Sequence, residues 1–318
     1  MKTKNRLLSL LILLSLCSCD DVFEEDITNE IVQVISPQNN QQIYSNVVNF
    51  QWNELDGADK YRLQIYNNTS AMVIDSLVTN TSVSFPLLQG AYQWRVRGEN
   101  SAYVSNYTFN NNFAVFETDD LSNQQVILTS PEDGFYTRLS TLVLDWEDLN
   151  AADTYNFELI NVTDGNVIVN QQTGLTNSSL TLTPSNLSTD AEYRWRVKAV
   201  NSDSETLFFS KKFYRDTSIP NTPVNQLPAN NSTQTINQQL NFSWTIPDDY
   251  GAIQSPITYT IEFANNVNFS PVIQSSEVTQ ATFQSSFATA GEYYWRVRAK
   301  DRATNTGSYS SPFKFTIN

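Results

Sequence analysis

The sequence predicts an all-β chain built from three sandwich domains in tandem, and three observations point to it. A phrase recurs three times, as "GAYQWRVRGEN" from Gly90 to Asn100, "DAEYRWRVKAVN" from Asp190 to Asn201 and "GEYYWRVRAKD" from Gly291 to Asp301. The six tryptophans form three pairs, Trp52 with Trp94, Trp146 with Trp195 and Trp244 with Trp295; first members stand 94 and 98 residues apart, second members 101 and 100. Solenoid repeats run to about 20–50 residues, so a period of this size is a whole domain. Each phrase alternates with the period of two expected of a half-buried strand, rich in β-branched and aromatic residues.

The chain opens with Lys2, Lys4 and Arg6, then an apolar run from Leu7 to Leu16. Ten residues are too few for a bilayer, which needs about twenty, and they fit the hydrophobic region of a cleaved export signal. Leu16-Cys17-Ser18-Cys19 resembles the lipobox of bacterial lipoproteins. That resemblance implies a signal peptide over 1–18 and lipidation of Cys19 as the first mature residue, with two or three acyl chains sufficing for stable anchoring. An acidic stretch, "DDVFEEDITNE", follows, and 19–30 is expected to be a short solvated tether. In enterobacterial lipoproteins Asp beside the cysteine tends to mean inner-membrane retention. In the Bacteroidota an acidic stretch there resembles the signal for export to the cell surface, and the Asn-, Ser- and Thr-rich modules fit that second group. A cell outer membrane location facing the exterior is therefore expected.

Each repeat has the same order of elements. A Pro-containing opener comes first: "VISPQNN", "LTSPEDG" and "QLPANN". Strands ending in the first Trp follow, pairing Phe50 with Trp52, Leu144 with Trp146 and Phe242 with Trp244 on one face. The next strand contributes Tyr61, Leu63 and Ile65, or Tyr155, Phe157 and Leu159, or Tyr259, Ile261 and Phe263. The repeated phrase then turns Tyr92, Trp94 and Val96 one way, as it does Tyr193, Trp195 and Val197, and Tyr293, Trp295, Val297 and Ala299. Three inward faces of large apolar residues are what two packed sheets bury between them. The domains are placed at 31–118, 125–216 and 222–318.

This order, with "YxWRVRA" near the end and a late "S…F" strand, resembles the fibronectin type III domain. The resemblance implies seven-stranded immunoglobulin-like sandwiches without a disulfide, covering the chain from about Ile31 to its end. The late pieces "SNYTFNNNFAVF", "SKKFYR" and "SPFKFTIN" fit the last strand. Domains of this size bury roughly two-thirds of their unfolded surface, enough to fold without staples. The six tryptophans are then core, not a site.

Composition removes most chemistry. The chain has no histidine, and its two cysteines both lie in the lipobox. A mature chain starting at Cys19 has no free thiol nucleophile, no disulfide, no His-based acid or base and no Cys/His zinc site. Glycine totals nine, with no phosphate-cradling loop. No cofactor is expected; carboxylate chemistry or an oxygen-ligand calcium site is what composition leaves. Removal of Lys2, Lys4 and Arg6 moves the net charge from -14 to -17, which argues against nucleic acid and anionic lipid as partners.

Several features are candidates for function. The outward face of the repeated phrase carries Arg95 and Arg97, then Arg194, Arg196 and Lys198, then Arg296, Arg298 and Lys300. Such stripes suit sulfated or acidic glycans, or cross-strand ion pairs with Glu158 and Glu262 on the neighbouring strand, each worth about 0.2–1 kcal/mol; the acidic surroundings favour ion pairs. "RGEN" at Arg97 to Asn100 differs from the integrin-binding RGD triplet by the longer Glu99 and begins inside a strand. Loops usually carry function on such scaffolds. The long loop "TIPDDYGAIQSPI", with Asp248, Asp249 and Tyr250, is expected beside the linker "DTSIPNTPVN" at the junction of the second and third modules. Its carboxylates suit a calcium ion or a solvated loop, although the D-x-D-x-D spacing is missing. The outermost pole is expected to show "ANNVNFSPVIQ", with Asn265, Asn266 and Asn268, and the stretch from Ser285 to Ala290. Asp75-Ser76-Leu77 resembles the O-glycosylation acceptor of Bacteroidota exported proteins, with Ser76 as acceptor. The tyrosines left outside the cores are Tyr66, Tyr103, Tyr107, Tyr250 and Tyr309.

The expected function is that of a non-catalytic, lipid-anchored envelope protein, with the membrane as one partner through its lipid and a glycan or protein as ligand in adhesion or binding. The alternative is a structural spacer or accessory subunit of an outer-membrane assembly. Tyrosines clustered in space favour binding; tyrosines dispersed favour the spacer.

Overall fold

A computed structural model describes residues 24–247 and 250–318; the expected signal peptide and Cys19 lie outside these residues, as do Asp248 and Asp249. The chain forms two compact units, Met1–Glu117 with the first sandwich and Thr118–Asn318 with the second and third. Among the described residues no helix is long and apolar enough to cross a membrane.

Module 1 comprises β1 (Val34–Ser36), β2 (Gln41–Ile43), β3 (Val47–Trp52), β4 (Lys60–Asn67), β5 (Met72–Val78), β6 (Ser82–Pro86), β7 (Gly90–Glu99) and β8 (Asn111–Val115). Module 2 comprises β9 (Leu128–Ser130), β10 (Phe135–Thr137), β11 (Leu142–Trp146), β12 (Thr154–Asn161), β13 (Val167–Leu175), β14 (Ser179–Leu182), β15 (Ala191–Val200) and β16 (Phe209–Arg215). Module 3 comprises β17 (Asn225–Leu227), β18 (Ser232–Gln234), β19 (Leu240–Trp244), β20 (Ile257–Ala264), β21 (Gln274–Val278), β22 (Thr282–Ser285), β23 (Gly291–Asp301) and β24 (Phe313–Ile317). In module 1 the sheets run β1-β3-β6 and β2-β8-β7-β4-β5, and the other two modules repeat this order.

The opening strand of the expected seven is divided between the sheets. Its first half pairs antiparallel with the strand that ends in the first Trp, and its second half pairs parallel with the last strand. The opener prolines Pro37, Pro131 and Pro228, each preceded by a cis peptide bond, stand between the halves. No alternation in three-residue strands announces this split.

The cores agree with the sequence pattern. Trp94, Trp195 and Trp295 are fully buried, and Trp52, Trp146 and Trp244 nearly so. Within each pair the ring centroids lie 6.4, 6.5 and 6.5 Å apart. The first Trp of each pair also meets Tyr61, Tyr155 or Tyr259 at 5.5, 5.5 and 5.3 Å, the spacing at which aromatic pairs contribute beyond area burial. Trp94 Nε1 donates to the carbonyl of Pro37 at 3.0 Å, whereas the other five indole N–H groups find no acceptor among the described residues.

A second repeated device fixes the phrase at its start. Tyr92, Tyr193 and Tyr293 donate their hydroxyls to the carbonyls of Leu88, Thr189 and Thr289 at 2.9, 2.9 and 3.0 Å. Their rings stack on Phe113, Phe213 and Phe315. This is the tyrosine corner of immunoglobulin-like sandwiches, in which a phenol bonds back to backbone a few residues upstream.

Two edge strands, β5 and β13, are each interrupted by an extra residue, Val73 between partners of Ile65 and Tyr66 and Val169 between partners of Leu159 and Ile160. Bulges of this kind twist an edge away from pairing with another chain. Within residues 24–30, expected as the end of a solvated tether, Ile27 is fully buried, whereas Glu25, Asp26, Thr28, Asn29 and Glu30 are exposed; the next residue, Ile31, bridges to Asn106. An isoleucine that can bury itself against the module does so, while the acidic side chains Glu25, Asp26 and Glu30 beside it stay exposed.

Candidate functional site

The outward faces of the five-stranded sheets carry the basic stripes, and each stripe is engaged with neighbouring acids and rings. In module 3, Arg296 pairs with Glu262 across β20 and β23 at 2.7 Å. Its guanidinium lies over the rings of Tyr309 at 3.8 Å and Phe269 at 4.1 Å. Arg298 covers Tyr309 at 4.6 Å, so the tyrosine ring contacts both arginines. The Tyr309 hydroxyl donates to Glu262 at 2.6 Å; burial, and then that carboxylate, push its pKa up to about 12. In module 2, Arg196 pairs with Glu158 at 2.7 Å and lies 4.5 Å over Phe208. Both acids expected from the register on β12 and β20 are therefore in place.

Module 1 solves the same problem differently. The position of those glutamates is held by Gln64, whose Oε1 accepts from Arg95 at 2.8 Å. Arg95 lies 4.2 Å over Tyr107 and 5.4 Å over Tyr66. The acid comes from Glu99 instead, which receives Arg62 at 2.8 Å and Arg97 at 2.8 Å. Glu99 is thus consumed by an ion-pair network, and the "RGEN" phrase presents no free carboxylate. Burial raises the Glu99 pKa, but the hydrogen bonds from Arg62 and Arg97 outweigh it and hold the group below its ordinary value. Asp75 is also lowered, first by the Gln64 amide and, with burial opposing, by Arg62.

A depressed carboxylate stabilises the fold above its unfolded pKa and loses that contribution as pH falls through the folded value. Module 1 is accordingly expected to lose thermal stability as pH falls below about 4.5, the ordinary value for Glu99. Glu99→Gln should be less stable at pH 7 and show a shallower loss in acid. Melting temperatures measured at both pH values check this, and an unchanged acid slope in the variant overturns it.

The loop 265–273, expected to present asparagines at the tip, closes on itself. Asn266 Oδ1 accepts from the amides of Asn268 at 3.1 Å and Ser270 at 3.4 Å, and its Nδ2 donates to the Ser270 carbonyl at 2.9 Å. Asn265 Nδ2 donates to the Glu292 carbonyl at 3.5 Å. Asn268 is exposed. Phe269, with φ +53°, is pulled inward onto Arg296. Left-handed backbone is rare for a bulky residue, so the stack and the Asn266 bonds together hold the loop.

Tyr250 is 79% exposed in the loop between β19 and β20, and the loop packs on the linker as expected. A Cβ on Gly251 would stand 2.7 Å from Ser218 Oγ. Ser76 is half-buried on β5, opposite Leu63 and on the face that carries the core-packing Ile74 and Val78. Of the five uncommitted tyrosines, Tyr66 and Tyr107 meet around Arg95, Tyr309 sits in the equivalent place two modules on, and Tyr103 and Tyr250 are in loops. Among the described residues no group of three or more acids, cysteines or histidines is placed to hold a metal ion.

The junction of modules 2 and 3 is a polar lock. Asp216, fully buried, donates its amide to Thr137 at 2.9 Å and accepts from the Ser218 amide at 3.0 Å and the Ser255 hydroxyl. Its carbonyl accepts from Asn305 Nδ2 at 2.9 Å, and Asn305 also bonds twice to Asp301 at 2.7 and 2.8 Å. Arg302 lies 5.3 Å over Tyr136, which stacks on Tyr214. A Cβ on Gly307 would come within 2.6 Å of the Pro220 carbonyl. Gly307→Ala should therefore push the linker off module 3 at a cost of about 1–3 kcal/mol, read as a lower denaturation midpoint with an unchanged slope.

No family model matches the chain, and no curated protein matches it. Solved structures with similar folds include chicken CNTN1 FN1–FN3 domains, with 14% identity over 90% of this chain and 97% of that one and a TM-score of 0.45. The fibronectin(III)-like modules of Clostridium thermocellum CbhA share 17% identity over 61% and 93%, at a TM-score of 0.36. A two-domain fibronectin type III segment from chicken tenascin shares 15% over 57% and 97%, at 0.23. On the strand order and cores of its own three sandwiches, the chain is an all-β protein of tandem fibronectin type III-like modules.

Proposed function

We propose that this is a non-catalytic, lipid-anchored protein of a bacterial outer membrane, facing the exterior, whose modules act as a spacer that holds an attached assembly away from the membrane. The polar lock between modules 2 and 3 carries this reading. Asp216 and Asn305 are almost wholly buried there, a cost that a flexible string of capture domains would not need. The loops expected to capture a ligand point the same way, because Asn266 is spent on its own loop.

A second reading, binding of a glycan or protein, draws on module 1, where Tyr66 and Tyr107 flank Arg95 on an outward sheet face. Protease digestion of tagged protein on intact cells supports outward exposure; protection until lysis overturns it. Screening the purified chain against glycans and envelope proteins separates the two roles. Saturable glycan binding lost in Tyr107→Ala overturns the spacer, whereas crosslinking to an envelope assembly without glycan binding supports it.

A further inference from the structure

The segment before module 1 is held by the same contacts as the linker before module 2. Asn100 donates through Nδ2 to the carbonyls of Glu25 at 2.9 Å and Gly57 at 2.8 Å. Its Oδ1 accepts from the amides of Ala102 at 3.1 Å and Tyr103 at 2.7 Å. Asn201 repeats all four bonds, to Asp119 at 2.8 Å and Ala151 at 2.9 Å and from Asp203 at 3.0 Å and Ser204 at 2.8 Å. Two residues beyond each clamped carbonyl stands an apolar plug, Ile27 or Leu121, both 0% exposed. The approach in module 1 is close, since a Cβ on Gly57, at φ +76°, would stand 2.8 Å from the Glu25 Cβ and 3.0 Å from Ile27 Cγ2. Asn106 adds its amide to the Glu30 carbonyl at 3.1 Å and its Nδ2 to the Thr28 carbonyl at 3.2 Å.

We propose that residues 24–30 are a docked strap, a conformational device that shortens the reach between the N-terminal anchor and module 1. The argument about reach rests on the lipidation of Cys19. With the strap docked, residues 19–23 alone separate the anchor from the module, and an extended chain covers at most about 3.5 Å per residue, or about 18 Å. A free segment over 19–30 would allow about 42 Å by the same arithmetic. The strap thus sets the module 1 pole close to the surface that holds the lipid, so the array of modules begins at a fixed base instead of swinging on a twelve-residue leash.

Hydrogen exchange on the purified protein tests the strap. Peptides covering 24–31 should be protected to the same order as those covering 118–123. Asn100→Ala should speed exchange at 24–31 about tenfold, the loss of one or two net hydrogen bonds, with β3 and β7 unchanged. Because Asn100 also closes its own turn, Ile27→Asp must release the same peptides with that turn intact. Coil-like exchange at 24–31 in the wild type, or no release in either variant, overturns the strap. The intact mass of the native protein tests the anchor separately: an unacylated Cys19 overturns the anchoring reading, and the exchange result still decides the strap.

Discussion

Trp195→Ala is expected to cost about 3–5 kcal/mol, because it removes a fully buried indole from a core that cannot collapse around the gap. Domains of this kind are stable by about 5–15 kcal/mol, so the loss takes a large share of the total and appears as a lower midpoint in equilibrium denaturation followed by circular dichroism. Trp195 sits against Trp146 at 6.5 Å and on a strand whose inward neighbours, Tyr193 and Val197, are themselves buried. Its Nε1 has no acceptor among the described residues, so Trp195→Phe loses volume alone and should be milder. In module 1 the corresponding Trp94→Phe also loses the bond to the Pro37 carbonyl, a further penalty of about 1 kcal/mol. Because Met1–Glu117 and Thr118–Asn318 are separate compact units, Trp94→Ala should lower only the transition of the first. A Trp195→Ala variant within about 1 kcal/mol of wild type would mean that the tryptophan is not core after all.

Asp216→Ala is expected to uncouple modules 2 and 3. The carboxylate has no exposed surface and accepts from the Ser218 amide and the Ser255 hydroxyl. Truncation leaves those buried donors unpaired, which costs about 1–3 kcal/mol. The loss falls on the contact between two modules, so the calorimetric transition of Thr118–Asn318 should split into two. Ser255→Ala leaves the buried Asp216 Oδ2 without that donor and should destabilise the same junction. A single unsplit transition in Asp216→Ala would show that the junction contributes nothing to coupling, and it would take away the observation on which the spacer reading stands.

Much of the architecture is legible because strand alternation is local. Tyr293, Trp295, Val297 and Ala299 face one way whatever they pack against, and all four are buried. Register extends this one step further: Glu158 and Glu262 can be placed opposite arginines once β12 and β15, or β20 and β23, are taken as neighbours. In module 1 the step fails, because Gln64 stands at that position and the acid arrives from Glu99 on the arginines' own strand. The aromatic residues that lie over the arginines, Tyr107, Phe208 and Tyr309, are spaced by 101 residues each, but their repeat is hidden by the change of residue type. Asn100 and Asn201 end the repeated phrases in plain sight; what they bond to lies 43 to 82 residues away, at Gly57, Glu25, Ala151 and Asp119.

The asparagine-rich loop shows the opposite case. Asn265, Asn266 and Asn268 are conspicuous as polar residues at an exposed pole, yet an amide side chain is equally able to bond a ligand or its own backbone. Composition alone cannot distinguish these uses; the positions of the Ser270 carbonyl and the Asn268 amide do.

By itself, the sequence determined the fold class, the number of modules, the identity of each core and the absence of histidine chemistry, because all of these follow from residue type and a period of two along the chain. Only the tertiary structure decided how the opening strand is shared between the sheets, which side chains are already spent, that Ile27 before module 1 is buried and that the linker before module 3 is locked. These depend on bonds between residues distant in sequence, where one polar side chain has several equally good partners and the folded geometry selects among them.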